Sequence, residues 1–343
     1  MILPDRDRKR ILVTGSAGFI GFHVARRLLE SGHEVVGIDG FTSYYDVGLK
    51  RDRNAVLAAM DGFELREFML EDSRRLTELF AEVRPQHVIH LAAQAGVRYG
   101  LDDPRSYISA NIVGTFNLLE ACREMPPRHL LMASSSSVYG AGPSIPFKEN
   151  AETSRPLSLY AATKKAGEVI SHAYSHLHSL PITAFRFFTV YGPWGRPDMA
   201  PFKFTSAILE GREIEVYGEG KMLRDFTYID DVVDGITGLL ECPPDLPGSQ
   251  TSASPVDSPV APFRAINIGA SQPVELEDFI AAVEQAVGRK AIRKYLPMQP
   301  GDVRRTHADT SALASLVPIR SPTPMRDGVA KFVDWYLKRY NRA

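Results

Sequence analysis

The most constraining feature of this 343-residue chain is a glycine-rich stretch near its start, VTGSAGFIG. It places Gly15, Gly18 and Gly21 between an apolar run that is typical of a buried strand and a helical pattern. At such a junction the first glycine permits a tight turn, the second lets the backbone approach a pyrophosphate, and the third lets the helix pack closely on the sheet. The stretch predicts a dinucleotide-binding loop, with a glycine-rich turn that holds no ligand as the alternative.

Asp39 strengthens this prediction because it ends the second predicted strand. A carboxylate at this place can accept hydrogen bonds from the adenosine ribose of a dinucleotide. It would also repel a 2′-phosphate, so we expect NAD rather than NADP as the cofactor.

Short apolar runs alternate with helical patterns through the first half of the chain. This alternation is typical of a parallel sheet covered by helices on both faces. The predicted strands are RILVTG, HEVVGID, HVIHLAA and HLLMASS, and the predicted helices are GFHVARRLLESG, SRRLTELFAEVR and SYISANIVGTFNLLEACREM. We predict an α/β fold with a Rossmann-type, doubly wound parallel sheet and a smaller mixed α/β lobe at the C-terminus.

The second half of the chain is less regular. Its predicted elements are the strands REIEVYG and RDFTYI, a helix that begins at Asp230, and the closing helix MRDGVAKFVDWYLKRYN. The stretch from Pro243 to Pro262 is rich in proline and serine and predicts a solvated loop. We assign residues 1–186 to a cofactor-binding domain and residues 187–343 mainly to a substrate-binding lobe, with some chain returning to the first domain.

Composition argues against several kinds of partner. The net charge of −1 gives no electrostatic case for binding nucleic acid or an anionic membrane. Cys122 and Cys242 lack a metal-type spacing, and Cys122 lies on the apolar side of a helical pattern, which predicts a buried, inert thiol. The charged N-terminus lacks the apolar core of a signal peptide, and no apolar run approaches the ~18 residues that span a bilayer. We therefore expect a cytoplasmic protein without a disulfide framework.

Tyr160 and Lys164 lie one helical turn apart in LYAATKKAGE, on the same helix face. A tyrosine with a pKa of ~10 is a poor base at neutral pH, but a neighbouring ammonium group stabilises the phenolate and lowers that pKa. Ser134 to Ser137 follow a predicted strand, at the edge of the sheet that faces the ligand crevice. Each feature alone occurs on many helices and loops, but together with the glycine triad they predict an acid/base site.

With these motifs the chain resembles the extended short-chain dehydrogenase/reductase family over nearly its whole length. The resemblance rests on TGSAGFIG, HLAA, SSSSVYG and YAATK. It implies tightly held NAD and a nucleotide-sugar substrate, with Tyr160 as the acid/base, Lys164 also on the nicotinamide ribose, and Ser135 on the reacting hydroxyl. The cofactor-binding residues it implies are Gly15, Ala17, Gly18, Phe19, Ile20, Gly21, Asp39, Leu70, Leu91, Ala92, Ala93, Asn111, Tyr160 and Lys164.

Longer segments resemble the UDP-glucuronate 4-epimerases, including FTSYYDVGLKRDRN, AAQAGVRYGLDDPRSYISAN, VYGPWGRPDMAPFKF, GKMLRDFTYIDDVVDGI and MQPGDVRRTHAD. The third segment presents Arg196 in a loop stiffened by Pro193 and Pro197, and a planar guanidinium suits a carboxylate or a phosphate. By composition alone, a solvated surface arginine is the alternative. The resemblance places hydroxyls on the C6 carboxylate, Arg224 on the diphosphate and Asp302 on the ribose. The implied substrate-binding residues are Ser136, Ser137, Thr189, Arg196, Arg224, Gln299 and Asp302.

The resemblance implies epimerisation of UDP-glucuronate to UDP-galacturonate at C4. Tyr160 would take the C4 hydroxyl proton as hydride passes to NAD, and hydride would return to the other face of a turned 4-keto sugar. The carboxylate lies β to that ketone, an arrangement that loses carbon dioxide. Related decarboxylases and dehydratases carry carboxylates at positions matching Ser136 or Ser137, whereas serines can instead hold the substrate carboxylate in the ring plane.

Other activities stay open at this point. The alternatives are a UDP-glucuronate decarboxylase, a UDP-glucose/galactose 4-epimerase, and a catalytically dead NAD-binding sensor that would have lost Tyr160 or Lys164. The sequence also leaves open which of residues 135–137 contacts the C4 hydroxyl and which contacts the carboxylate.

Two positions depart from the pattern of the relatives. Related epimerases often place an aspartate after the third strand to bond the adenine amino group, but Met69 occupies the aligned position and Asp72 lies three residues further on. We expect the Leu70 backbone and apolar contacts to hold adenine instead. The galactose epimerases bind UDP through an arginine. This chain has Gln299 at the aligned position, as the glucuronate enzymes do.

Two helical patterns carry more apolar positions than one buried face needs. They are SYISANIVGTFNLLEACREM and the helix from about Ser158 to His178. Excess apolar helix surface indicates a partner, and the resemblance implies a homodimer that pairs these helices. A thick one-sided core is the alternative.

Overall fold

The computed structural model describes residues 8–141, 144–246, 254–299, 301–318 and 320–340. The strands are β1 (Arg10–Thr14), β2 (Glu34–Asp39), β3 (Phe63–Glu67), β4 (His87–His90), β5 (His129–Ser135), β6 (Ile182–Phe187), β7 (Thr189–Tyr191), β8 (Glu213–Tyr217), β9 (Leu223–Tyr228), β10 (Phe263–Ile268), β11 (Pro273–Glu275) and β12 (Ile292–Leu296). The helices are α1 (Phe19–Glu30), α2 (Val47–Ala58), α3 (Ser73–Val83), α4 (Pro104–Tyr107), α5 (Gly114–Glu124), α6 (Leu159–His178), α7 (Ala200–Glu210), α8 (Ile229–Leu239), α9 (Leu276–Val287), α10 (Ser311–Leu316) and α11 (Met325–Arg339).

Seven strands form one sheet in the order β10-β6-β5-β4-β1-β2-β3, and every pair in it is parallel. The strand order reverses between β1 and β4. From β1 the chain proceeds outward through β2 to β3, and it then returns to form β4 on the other side of β1. Such a switch point opens a crevice at the carboxyl ends of the strands. The predicted Rossmann-type sheet is therefore confirmed, and the loops after β1, β2, β4 and β5 meet at this crevice.

The sheet is buried on both faces, as β1 illustrates. Ile11 and Val13 pack into one apolar core, whereas Leu12 between them packs into the other. Because successive side chains of a strand point to opposite faces, a strand covered on both sides has an unbroken apolar run. This is why the central strands could be predicted from sequence.

Helix α2 was not predicted. It has no continuous apolar stripe, and its buried positions are Leu49, Lys50, Arg53 and Leu57. Its N-terminus is capped by Asp46, whose carboxylate accepts a hydrogen bond of 2.8 Å from the Gly48 N–H. Two basic residues therefore take places that a helix usually fills with apolar ones.

The C-terminal lobe contains a three-stranded sheet in the order β11-β9-β7 and the parallel pair β12-β8. The predicted strands at β8 and β9 and the predicted helices at α8 and α11 are confirmed. Strand β10 returns to the main sheet beside β6. Phe22 of α1 and Phe226 of β9 belong to one continuous core, so the lobe packs directly on one face of the main sheet.

Other predictions concern single segments. Of the predicted loop from Pro243 to Pro262, residues 247–253 lie outside the described part, and its remaining residues form neither helix nor regular strand. Cys122 is buried and Cys242 partly exposed, both as free thiols, and burial raises the pKa of Cys122. Within the described ranges, no helix is both long and apolar enough to cross a membrane.

Candidate active site

A cleft of about 1100 Å³ opens at the carboxyl ends of the main-sheet strands and extends to residues of the C-terminal lobe. The cleft lies at the upper end of the roughly 300–1,000 Å³ that pockets for small ligands usually enclose. Ala17, Asn111 and Gln299 do not line it. The predicted residues that do are Gly15, Gly18, Phe19, Ile20, Gly21, Asp39, Leu70, Leu91, Ala92, Ala93, Ser135, Ser136, Ser137, Tyr160, Lys164, Thr189, Arg196, Arg224 and Asp302.

The glycine loop, residues 15–21, has the close approaches that its sequence predicts. Gly15 has a φ of +72°, and a Cβ there would lie 2.8 Å from the Ala92 nitrogen. A Cβ on Gly21 would lie 2.0 Å from the Gly15 carbonyl oxygen. Helix α1 starts after Gly18 with no side-chain cap, so its first-turn N–H groups can donate to an anion. This cradle fits the pyrophosphate of a dinucleotide.

Asp39 lies beside the glycine loop and is held by backbone donors. Its Oδ2 accepts a hydrogen bond of 3.1 Å from the Ala17 N–H, and its Oδ1 accepts one of 2.8 Å from the Phe41 N–H. Each carboxylate oxygen keeps a further lone pair, which suits a ribose diol. Ala17 therefore contributes by orienting Asp39.

Asn111 holds the segment that follows β4. Its Oδ1 accepts from the Gln94 N–H at 2.8 Å, and its Nδ2 donates to the Gln94 carbonyl at 3.1 Å and to Thr163 Oγ1 at 3.0 Å. Asn111 does not line the cleft, and both ends of its amide are bonded within the protein. It therefore lies behind the cleft wall. It shapes the wall instead of lining it.

Tyr160 and Lys164 lie on α6, where Ser158 caps the N-terminus. Lys164 Nζ donates to the Ala133 carbonyl at 2.8 Å, and burial lowers the pKa of Lys164 to about 8. Burial also raises the pKa of Tyr160, although the Ser135 hydroxyl and the Arg196 charge oppose that rise. The expected lowering of the tyrosine pKa is thus wrong for this arrangement, because burial penalises the phenolate more than its neighbours favour it.

The serine run continues β5 into a 3₁₀ turn at Ser136–Tyr139. Ser134 Oγ donates to Glu168 Oε1 at 2.6 Å, and this buried glutamate pairs with Arg186 at 2.9 Å. Ser135 Oγ donates to Ser137 Oγ at 3.2 Å. The hydroxyls available to a ligand are therefore those of residues 135–137.

The 192–199 loop carries Arg196, and this side chain already has an anionic partner. Its guanidinium bonds Asp198 side-on, with Nε–Oδ1 at 2.9 Å and Nη2–Oδ2 at 2.5 Å. Asp198 also accepts a hydrogen bond of 3.0 Å from the Tyr44 hydroxyl. Although burial opposes it, Asp198 raises the pKa of Arg196, so the cation is permanent. A ligand anion would have to share it with Asp198.

The far end of the cleft holds the predicted contacts to the nucleotide. Arg224 Nη1 donates to the carbonyls of Leu223 at 3.1 Å and Arg304 at 3.2 Å, which fixes its guanidinium. Asp302 Oδ2 accepts from Arg98 Nη2 at 3.3 Å, and the Asp302 N–H donates to the Gln299 carbonyl at 3.2 Å. Gln299 thus shapes the turn that carries Asp302.

Met69 and Leu70, the positions predicted to lie near adenine, both line the cleft. Met69 packs against Gly40, where an added Cβ would lie 2.0 Å from the Met69 sulfur. Leu70 is buried, and its carbonyl accepts a hydrogen bond of 2.9 Å from Asn117 Nδ2. That carbonyl oxygen keeps a second lone pair, so the Leu70 backbone is still able to accept from adenine.

Several residues with contacts at the cleft were missed from sequence. Lys50 lines it and donates to the Thr42 carbonyl at 2.8 Å, and Arg53 lies behind it. A usable signal existed, because both basic residues fall in helical phase with Leu49 and Leu57. No comparable signal marks Tyr44, whose partner Asp198 is distant in the chain.

Several known proteins are similar to this chain in sequence and fold. Residues 11–250 match the NAD dependent epimerase/dehydratase family. A "probable UDP-glucuronate 4-epimerase" of Rhizobium meliloti (strain 1021) is 52% identical, covering 97% of this chain and 98% of the relative. UDP-glucuronate 4-epimerase 1 of Arabidopsis thaliana is 46% identical, covering 96% of this chain and 77% of the relative.

Among solved structures, the UDP-glucuronic acid 4-epimerase from Bacillus cereus in complex with UDP-glucuronic acid and NAD has a TM-score of 0.86. It is 33% identical, covering 96% of this chain and 100% of that chain. UDP-glucose 4-epimerase from Thermotoga maritima, with UDP-glucose, has a TM-score of 0.83 at 26% identity, covering 96% and 99%. This chain belongs to the NAD-dependent epimerase/dehydratase family.

Proposed function

We propose that the chain catalyses the C4 epimerisation of UDP-glucuronate to UDP-galacturonate with NAD as its bound cofactor. The observation that carries the proposal is the arrangement of the cleft. Tyr160, Ser135 and Arg196 line the same cleft as the glycine loop, and Ser135 and Arg196 both act on the Tyr160 phenol. Residues 136 and 137 are serines, so they offer no carboxylate for an elimination.

The cofactor would be held by the glycine loop and by Asp39. The first-turn N–H groups of α1 would bond the pyrophosphate, Asp39 the adenosine ribose and Lys164 the nicotinamide ribose. When bound, NAD supplies a reversible hydride acceptor, so that the reaction has no net redox change.

Tyr160 would move the proton of the C4 hydroxyl. As phenolate it accepts that proton while the sugar becomes a 4-keto intermediate, and as phenol it returns the proton after the sugar has turned over. Ser135 and Arg196 both favour the phenolate against burial. Ser135 would also bond the reacting hydroxyl and keep it near the phenol oxygen.

The substrate would be oriented by its two charged ends. Ser136, Ser137 and Thr189 would bond the C6 carboxylate, with Arg196 contributing positive charge. Carbon dioxide is lost only when the breaking C–C bond lines up with the ketone π system, and hydroxyls that hold the carboxylate in the ring plane prevent that. At the nucleotide end, Arg224 would bond the diphosphate and Asp302 the ribose, with Gln299 supporting that turn.

We also propose a homodimer, a cytoplasmic location and the two-part division at residue 186. Helices α5 and α6 expose large apolar side chains, including Phe116 at 45%, Val169 at 57% and Leu177 at 70%, and such surface favours a partner. Free thiols fit a reducing compartment. Residues 1–186 would mainly hold NAD and residues 187–343 mainly the nucleotide-sugar.

The test is to incubate the purified protein with UDP-glucuronate and no added reductant, and to resolve the sugars by proton NMR. We expect UDP-galacturonate at constant total uronate, and none from the matched variant Tyr160→Phe. UDP-xylose with released carbon dioxide would instead indicate a decarboxylase. Epimerisation of UDP-glucose alone would indicate that Arg196 and the hydroxyls do not select a uronate.

A further inference from the structure

Arg53 is a buried cation that the proposed chemistry does not use. It lies on α2 and is fully buried. Its Nη1 donates to the Ala17 carbonyl at 3.0 Å and to the Tyr45 hydroxyl at 2.8 Å, and its Nη2 donates to the Trp194 carbonyl at 2.6 Å. These partners are all neutral, and no carboxylate among the described residues forms an ion pair with it.

These bonds join two loops that both line the cleft. Ala17 belongs to the glycine loop, and its N–H orients Asp39. Trp194 belongs to the 192–199 loop and lies two residues before Arg196. Because Arg53 bonds backbone carbonyls on both sides, it fixes the main-chain path of each loop relative to the other.

The 192–199 loop depends on such external support. Trp194 has a φ of +62°, a left-handed conformation that bulky residues rarely adopt. Besides Arg53, His23 of α1 bonds the Pro193 carbonyl at 2.9 Å, and burial lowers the pKa of His23 to about 3. Of the two side chains that support this loop from the cofactor-binding half, His23 is therefore neutral and Arg53 is charged.

The charge on Arg53 favours an anion nearby. A buried cation without a counter-ion is costly, and carbonyl oxygens offset that cost only in part. Its field reaches the cleft, since it helps to lower the pKa of cleft-lining Lys50 after the larger effect of burial. The uncapped N-terminus of α1, just beyond Ala17, is the adjoining anion site. A pyrophosphate there would lower the cost of burying Arg53 and hold it in place.

We propose that Arg53 is a positioning residue that couples the two halves of the cleft. Through its bonds to Ala17 and Trp194, binding of the dinucleotide and binding of the uronate sugar strengthen each other. Such coupling is reciprocal, so each ligand tightens the other by the same factor. The inference rests on the proposed function, because it needs both ligands.

The test measures this factor in full-length protein carrying Tyr160→Phe, which prevents turnover. Calorimetry gives the Kd of UDP-glucuronate with and without saturating ADP-ribose. ADP-ribose fills the pyrophosphate site but lacks the nicotinamide, so it avoids direct contact with the sugar. We expect ADP-ribose to tighten UDP-glucuronate binding about tenfold, a usual size for coupling between sites.

Variants at Arg53 decide the result. Arg53→Met keeps a long side chain without donors and should reduce the factor to within about twofold of one. Arg53→Lys keeps the charge but lacks the fork that reaches both carbonyls, so it should restore the factor only in part. With Tyr160 intact and NAD saturating, Arg53→Met should raise the KM for UDP-glucuronate more than it lowers kcat.

The matched control is Arg264→Met. Arg264 is also a buried arginine, but it bonds Thr183 and the Cys242 carbonyl and pairs with Asp257, away from both loops. The Arg264→Met variant should be less stable than the parent, but its coupling factor should be unchanged. Unchanged coupling in Arg53→Met, or in Arg53→Lys where the methionine variant does not fold, would overturn the inference. So would equal loss in Arg264→Met, whereas a parent that binds no UDP-glucuronate at all would count against the proposed function.

Discussion

The glycine loop and the 192–199 loop both line one cleft, but different forces give them their shapes. In the glycine loop the backbone itself is decisive, because added Cβ atoms on Gly15 and Gly21 would collide with backbone atoms. In the 192–199 loop, Trp194 takes a left-handed conformation that is held by side chains from distant elements. The glycine loop is therefore shaped mainly by close backbone approaches, within the loop and against Ala92, and the 192–199 loop by distant side chains.

The largest effect should come from a substitution in the glycine loop. In Gly21→Ala the new Cβ would lie 2.0 Å from the Gly15 carbonyl oxygen, so α1 must move away from the anion site. Overpacking of this kind costs about 1–3 kcal/mol, and we expect NAD to bind roughly 100-fold more weakly by calorimetry. Gly211→Ala is the control, since a Cβ there would have no atom within 4 Å, so that its strain comes from a positive φ of +67° and not from close packing. Equal NAD affinity in both variants would mean that close packing does not shape the glycine loop.

A smaller effect is expected at the loop held by tertiary contacts. Trp194→Ala removes a ring that lies 5.3 Å from Phe22 and 5.5 Å from Trp335 between centroids. The displaced loop would misplace Arg196, and small misplacements at a site are costly. We expect the KM for UDP-glucuronate to rise about tenfold, while NAD affinity without sugar changes less than about threefold. Steady-state kinetics and calorimetry check this, Trp194→Phe should recover most of the loss, and a change in NAD affinity alone would contradict it.

The smallest expected effect is that of low pH, which should destabilise the 192–199 loop more than the glycine loop. Burial would raise the pKa of Asp198, but Arg196 lowers it below the ordinary value of 3.8. A lowered pKa contributes stability that is complete above the unfolded value and is lost as pH falls through the folded one. Between about pH 5 and 3 we expect the 192–199 loop to lose about 1 kcal/mol of local stability, seen as faster amide hydrogen exchange after intrinsic rates are corrected.

The control for the acid experiment is internal to the chain. Apart from Ala17, whose N–H bonds the Asp39 carboxylate, amides of the glycine loop should show no matching change, because those of Gly15, Ser16 and Gly18 bond backbone carbonyls. Asp198→Asn should remove the acid dependence of the 192–199 loop, since the amide does not titrate in this range. Persistence of the dependence in that variant would assign it to another carboxylate.

Local patterns explain how much of the fold and site could be predicted. The main-sheet strands, α6 and the glycine loop follow from apolar runs, caps and glycines that lie close together in sequence. The role of Arg53 could not be predicted, because its partner Trp194 lies 141 residues away. The pairing of Arg196 with Asp198 depends on local loop geometry that composition does not fix, and the raised pKa of Tyr160 depends on burial. The roles of the individual site residues stay predictions.

The contact between Trp194 and Trp335 has a practical consequence. These are the two tryptophans of the chain, so every indole in the molecule lies beside the 192–199 loop. The tryptophan fluorescence of the protein therefore reports on this loop and on the part of α11 packed against it, without a label. A rapid-mixing experiment that follows indole emission can time the seating of the loop directly, and compare that time with the rate of turnover.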